Sequence, residues 1–306
     1  VAIVREGTKP EQQTLTATLE TIADEVERAA LRPPAIAIVG EVVRLREELR
    51  WYDRLPLFGK SVLITRAAES SAEFAARLWE AGAQPIMAPL IRIVPPENQD
   101  AASAAVRRAR DYAWIVFSSR NGVDAFWEEL ERYGGDARRL GDARVAAIGP
   151  KTAEVLRQHG IAADFVPSRY VSEGVAEGLL QRTNAGDRVL LFRAQEARDA
   201  LPVALSAAGR KVDVVAAYRA ALNEVPDLAE RVERSDILTF TSAGIVRSFA
   251  AQLHDPIAAA RGKIIACIGP ITADAARAAG LDVSIVAEDF TTEGLARALL
   301  AAPLSI

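Results

Sequence analysis

Two junctions in this chain join a strand-like run to a Gly-Pro pair and a threonine. They are Ala147-Ile148-Gly149-Pro150-Lys151-Thr152-Ala153 and Cys267-Ile268-Gly269-Pro270-Ile271-Thr272-Ala273. Glycine permits a tight turn and close ligand approach, and proline suits a first helical position. The free N–H groups of the first turn, with Thr152 or Thr272, make an end that can receive an anion. Ser119-Arg120-Asn121-Gly122 is a second such end, where Ser119 and Asn121 offer polar groups after a strand. Both kinds of junction also serve as ordinary helix starts. Their position at the carboxyl ends of strands, where open α/β sheets gather ligands, favours a binding role.

Other chemistries lack material. The 306 residues contain one cysteine and two histidines, which excludes an intrachain disulfide framework and a multi-cysteine zinc site. Cys267 lies in an apolar run and reads as a packed core thiol. His159 and His254 lack a nucleophile elbow nearby, so a Ser-His-Asp triad is not expected. Gly59-Lys60-Ser61 has Arg54 where a phosphate loop needs its first glycine, and Pro150 precedes Lys151-Thr152, so neither forms one. The formal net charge of −4 argues against a broad nucleic-acid face. No apolar run approaches the ~20 residues of a membrane span. The expectation is a cytoplasmic protein, and a chain opening on Val1 reads as cut from something longer.

The elements that must hold these junctions repeat. Val62-Leu63-Ile64-Thr65-Arg66 returns as Val189-Leu190-Leu191-Phe192-Arg193, and Phe117-Ser118-Ser119 as Phe240-Thr241-Ser242. The Gly149 junction returns at Gly269, and Ser172-Glu173-Gly174 as Thr292-Glu293-Gly294, both 120 residues later. Four matches in one order imply a duplication from about Gly59 onward. Within each copy short β-branched runs alternate with amphipathic stretches ended by glycine, so the fold class is α/β with parallel sheets. Two Pro-closed extended runs, 89–96 and 217–226, interrupt the rhythm as connectors. Residues 1–55 have no copy and read as a separate β-α-β-α piece.

In the order and spacing of these motifs, residues 57–300 resemble uroporphyrinogen-III synthase; Val215-Ala216-Ala217-Tyr218-Arg219 adds to the match. Residues 1–52, through Gly7-Thr8-Lys9-Pro10 and Pro34-Ala35-Ile36-Ala37-Ile38-Val39-Gly40, resemble the carboxyl-terminal end of a uroporphyrinogen-III C-methyltransferase. That enzyme's glycine-rich SAM loop is absent, so methyl transfer by this chain alone is not expected. The resemblance implies two flavodoxin-like domains joined by a two-stranded linker. One is formed by 57–92 plus 222–306, the other by 93–221.

The resemblance further implies cyclisation of hydroxymethylbilane through a spiro-pyrrolenine, without cofactor or metal. Tyr218, matching a family tyrosine, is the expected catalytic acid. Arg66, Ser119, Arg120, Asn121, Gly149, Thr152, Ser172, Arg193, Ser242 and Thr272 are the expected substrate-binding residues. Arg66 and Arg193 end equivalent strands and can fork onto carboxylates. The implied partners are an upstream hydroxymethylbilane synthase and the fused methyltransferase, with a monomeric synthase part. The rival reading is a non-catalytic tetrapyrrole sensor on the same fold.

Overall fold

The computed structural model describes residues 1–197 and 199–303. It divides into two compact units, Val1–Arg92 with Leu222–Ile306 and Ile93–Ala221. The chain opens with β1 (Ala2–Arg5), β2 (Gln13–Thr16), α1 (Ile22–Arg28) and β3 (Ala35–Ile38), followed by a 3₁₀ turn (Glu41–Leu45) and the single turn α2 (Arg46–Leu49). β1 pairs antiparallel with both β2 and β3.

This corrects the β-α-β-α reading of the segment. Residues 13–16, Gln-Thr-Leu-Thr, form a hairpin strand, because β-branched threonines alternating with a leucine suit a pleated surface better than a helix. The helix starts only at Ile22, after a turn in which the Ile22 N–H donates to the Thr18 carbonyl at 3.0 Å. None of α1, the 3₁₀ turn and α2 buries a residue.

Then come β4 (Ser61–Ile64), α3 (Ala72–Glu80), β5 (Gln84–Met87), β6 (Ile91–Val94), α4 (Gln99–Arg107), β7 (Trp114–Phe117), α5 (Arg120–Arg132), β8 (Arg144–Ala147) and α6 (Pro150–Gln158). They are followed by α7 (Ser172–Leu180), β9 (Arg188–Ala194), α8 (Ala200–Ala207), β10 (Lys211–Leu222), α9 (Leu228–Glu233), β11 (Ile237–Phe240) and α10 (Ala243–Gln252). α11 (Pro256–Ala260), β12 (Ile264–Cys267), α12 (Pro270–Ala278), β13 (Val283–Val286) and α13 (Thr292–Ala301) close the described chain.

One sheet has the order β13-β12-β11-β4-β5 and is parallel throughout. Its strands come from both ends of the synthase-like region. The other has the order β6-β10-β9-β7-β8, with β7, β8, β9 and β10 parallel. A parallel bridge from Ala146 to Phe165 extends it beyond β8. The sequence repeat maps β12 on β8, β11 on β7 and β4 on β9, and their places in the two sheets then make β5 and β10 counterparts.

Central strands read as mainly apolar runs because helices cover both faces. All four residues of β7, Trp114-Ile115-Val116-Phe117, are buried, as are all of β11. Phe117, Phe126 and Phe192 meet edge to face under α5, and Phe240 meets Phe249 under α10.

Candidate functional site

In unit 2 the chain must start a helix directly after β7, and Ser119 performs the switch. Its backbone is extended and its Oγ accepts the Gly122 N–H at 3.1 Å. Gly122 packs closely there: a Cβ would lie 3.1 Å from the Phe192 carbonyl oxygen of β9, a tight contact. Arg120 and Asn121 sit in the same first turn of α5, half-buried.

The same Ser119 Oγ meets the phenol of Tyr218 at 3.0 Å. Tyr218 stands in β10 where its register against β9 shifts, between Ala216 and Tyr218. Such an irregularity re-aims a side chain. Burial pushes the phenol above its usual range; the Ser119 hydrogen bond opposes this, and the negative charge of Glu196 adds to the rise. Ser119 and Tyr218, 99 residues apart, are thus brought into contact at the carboxyl edge of this sheet.

Arg193 ends β9 with 8% exposure and pairs with Asp199 at 2.5 Å, just before α8. Gly149 precedes Pro150 at the start of α6. Thr152, in that first turn, is 4% exposed, so its hydroxyl does not lie on an open surface. Ser172 is the first residue of α7, and Val171 rather than a hydroxyl residue occupies the capping position.

Unit 1 carries the corresponding set on its own sheet. Arg66 follows β4, and Ser242 caps α10 by accepting the Ile245 N–H at 3.3 Å. Gly269 precedes Pro270 of α12, and Thr272 is again 4% exposed. Two hydroxyls overlooked in the sequence, Thr65 and Thr239, lock β4 to β11. The Thr65 Oγ1 donates to the Thr239 carbonyl at 2.5 Å and the Thr239 Oγ1 to the Leu63 carbonyl at 2.6 Å. Unit 1 has no phenol matching Tyr218, because β5 ends at Met87 and runs into Ala88-Pro89. The duplicated scaffold is therefore chemically unsymmetrical.

Also overlooked were Tyr170 and Phe290, exposed rings lying over Gly149 and Gly269. Their shared offset of 120 was the signal available. Among the described residues no three His, Cys, Asp or Glu side chains cluster as metal ligands, and no helix is long and apolar enough to cross a membrane. An apolar cavity of about 390 Å³ lies in the amino-terminal segment, lined by Val4, Ile38, Val42, Leu49 and Trp51 among others. None of the candidate residues lines it.

Comparison with known proteins gives this geometry a family. The model for uroporphyrinogen-III synthase HemD matches residues 72–297. The chain is 33% identical over 306 residues to the porphyrin biosynthesis protein HemD of Ruminiclostridium josui, covering 98% of this chain and 60% of that protein. It therefore spans three-fifths of that relative's length. It is 32% identical over 256 residues to the uroporphyrinogen-III synthase of Synechococcus elongatus, covering 80% of this chain and 96% of that one. A stretch of 52 residues, 17% of the chain, is 48% identical to 11% of the siroheme synthase of Nitrosomonas europaea. Among solved structures, the uroporphyrinogen-III synthetase of Helicobacter pylori shares the fold, with a TM-score of 0.54, 18% identity, and coverage of 78% of this chain and 96% of that one. With the family model covering most of the duplicated region and a relative matched nearly end to end, this chain belongs to the uroporphyrinogen-III synthase family.

Proposed function

We propose that the chain closes hydroxymethylbilane to uroporphyrinogen III, inverting the last pyrrole ring, with loss of one water. The observation that carries this reading is the match to the synthase model over residues 72–297 and to a relative named for that product over 80% of the chain. The half-buried Tyr218–Ser119 contact at a strand's carboxyl edge supports it.

In this reading the pyrrole nitrogen lone pair expels the hydroxyl from the hydroxymethyl carbon. The C–O bond breaks, and the Tyr218 phenol gives the departing oxygen its proton, forming water, a phenolate and an azafulvenium cation that keeps its N–H. The substituted α-carbon of the terminal ring attacks that carbon, making a spiro-pyrrolenine. Fragmentation and reclosure invert the ring, and the final loss of a ring proton returns it to the phenolate. The substrate supplies the electronic drive and no cofactor enters the balance. The protein's share is to hold a flexible chain in the folded geometry that favours spiro closure.

Arg66, Arg193, Ser119, Arg120, Asn121, Ser172 and Ser242 would receive the carboxylates of the substrate with side chains. Gly149, Thr152 and Thr272, whose hydroxyls are buried where present, would do so with first-turn backbone N–H groups.

The reading extends to the architecture. Residues 57–92 with 222–306, and 93–221, would act as the two domains of the synthase. Residues 1–55 would be the carboxyl-terminal end of a methyltransferase, which the siroheme synthase similarity supports. A hydroxymethylbilane synthase would supply the substrate in the cytoplasm, and the synthase part would act as a monomer.

The test is hydroxymethylbilane incubated with and without protein, followed by chromatographic separation of the isomers. Isomer III appearing only with protein supports the reading. Isomer I alone in both sets it aside in favour of tetrapyrrole binding without turnover.

A further inference from the structure

The repeated Ser/Thr-Glu-Gly motif takes little part in the chemistry above, and its surroundings show what it holds. A Cβ at Gly174 would lie 2.4 Å from the carbonyl oxygen of Arg169, and one at Gly294 only 2.1 Å from that of Asp289. Only glycine lets α7 and α13 press so closely on the loops that precede them. Those two loop residues are also tied to the same helices by side chain: Arg169 to Glu177 at 2.7 Å, and Asp289 to Arg297. The attachment is the same in both copies although the charges are exchanged.

The same carbonyls accept the N–H two residues on, from Val171 at 2.8 Å and Thr291 at 2.7 Å, which closes a three-residue turn. At the apex of one turn is Tyr170, and at the apex of the other Phe290, with 59% and 65% of their surface exposed. Each ring lies over the glycine of a Gly-Pro junction. A Cβ at Gly149 would meet Tyr170 at 3.5 Å, and one at Gly269 would meet the Phe290 ring at 2.9 Å.

A single exposed aromatic needs no explanation. Here the glycine behind the turn, the ion pair, the turn itself and the glycine under the ring all recur at one offset, on units that otherwise differ. The loops are pre-shaped, and what they display is a flat π surface at the carboxyl edge of each sheet, where ligands of open α/β sheets bind.

We propose that Tyr170 and Phe290 are stacking platforms for pyrrole rings of the linear tetrapyrrole, one on each unit. The proposal rests on the synthase reading above. A pyrrole is flat and electron-rich, so it stacks offset on, or edge to face against, a phenyl or phenol ring. Binding one ring of the substrate on a fixed surface removes part of the freedom that spiro closure must overcome.

The test is steady-state kinetics with hydroxymethylbilane, spontaneous closure subtracted, on the full chain and four variants. Tyr170→Leu and Phe290→Leu keep an apolar side chain but lose the ring; Tyr170→Phe and Phe290→Tyr keep the ring. Each Leu variant is expected to raise KM by about 2- to 12-fold, the range for one aromatic pair. kcat should change less than twofold and the thermal midpoint stay put, and the ring-keeping variants should restore KM. Wild-type KM in both Leu variants overturns the platforms. So does a lowered midpoint with unchanged KM, which would make the rings mere packing for the helix starts. Formation of isomer I alone by the wild-type chain overturns the synthase reading and the platforms with it, an outcome distinct from the other two.

Discussion

At the scale of single residues, Tyr218 is the sharpest point of the proposed chemistry. Its phenol is held above the usual range chiefly by burial, so the acid form persists past the ordinary tyrosine value of about 10. If it protonates the leaving hydroxyl, the alkaline limb that this group sets will lie above that of an ordinary tyrosine. Tyr218→Phe will cut the enzymatic rate about 10²-fold, the lower range for a general acid, while spontaneous isomer I continues. An unchanged rate and isomer ratio would remove the phenol from the mechanism.

Tyr112 behaves differently. Its hydroxyl donates to Asp213 at 2.7 Å, and burial first, then that hydrogen bond, pushes its phenol up to about 12. A phenol whose folded value is raised contributes stability that is intact below pH 10 and lost as pH climbs toward 12. Chemical denaturation across that range should show a steep fall for the wild type and a shallower one for Tyr112→Phe. Burial also pushes the Asp213 carboxyl up, but hydrogen bonds from Tyr112 and Arg188 together outweigh it and leave it lowered. Asp213 is partly exposed, so its share of stability is small and disappears only on acidification through its folded value.

Among elements, the alternation of strand and helix was legible because the central strands are mainly apolar runs and α3, α5, α6, α8 and α12 each run into a glycine of positive φ. The duplication was legible because both copies need the same residues at strand ends. The hairpin strand at 13–16 was hidden by its length: four residues give too little period to outweigh the helix-like stretch that follows. The contact between Ser119 and Tyr218 was hidden for another reason, since it depends on a register shift in β10 that no pattern in the sequence announces.

The repeated glycines show what such packing contributes. In Gly294→Ala the new methyl would collide with the Asp289 carbonyl, backbone rather than a side-chain tip. α13 must then move from the sheet, at a cost of about 1–3 kcal/mol, the usual range for overpacking. Urea unfolding should show a lower midpoint with an unchanged slope. An alanine at Gly262, which has open space around it but a φ of +75°, should cost less.

For the whole molecule, the two units differ in how their chain is supplied. Unit 2 comes from one continuous stretch, Ile93–Ala221. Expressed alone, residues 93–221 should unfold cooperatively. Residues 1–92 alone should not, because β4 and β5 would lack β11, to which Thr65 and Thr239 fasten β4. Removing residues 1–50 should leave isomer III formation intact, since the synthase model match begins at residue 72. The cut stops there because Tyr52 and Leu57 are buried.

That interleaving also has a consequence during translation. Val62, Leu63 and Ile64 leave the ribosome early, yet the strand that pairs with their open edge, Ile237–Phe240, follows about 170 residues later. At 5–20 residues per second this open strand edge waits roughly 10–30 s. Unit 2 can fold within that interval, whereas β4 and β5 must be shielded by chaperones or risk pairing with neighbouring chains. A ribosome stalled between residues 93 and 237 would leave that edge permanently open.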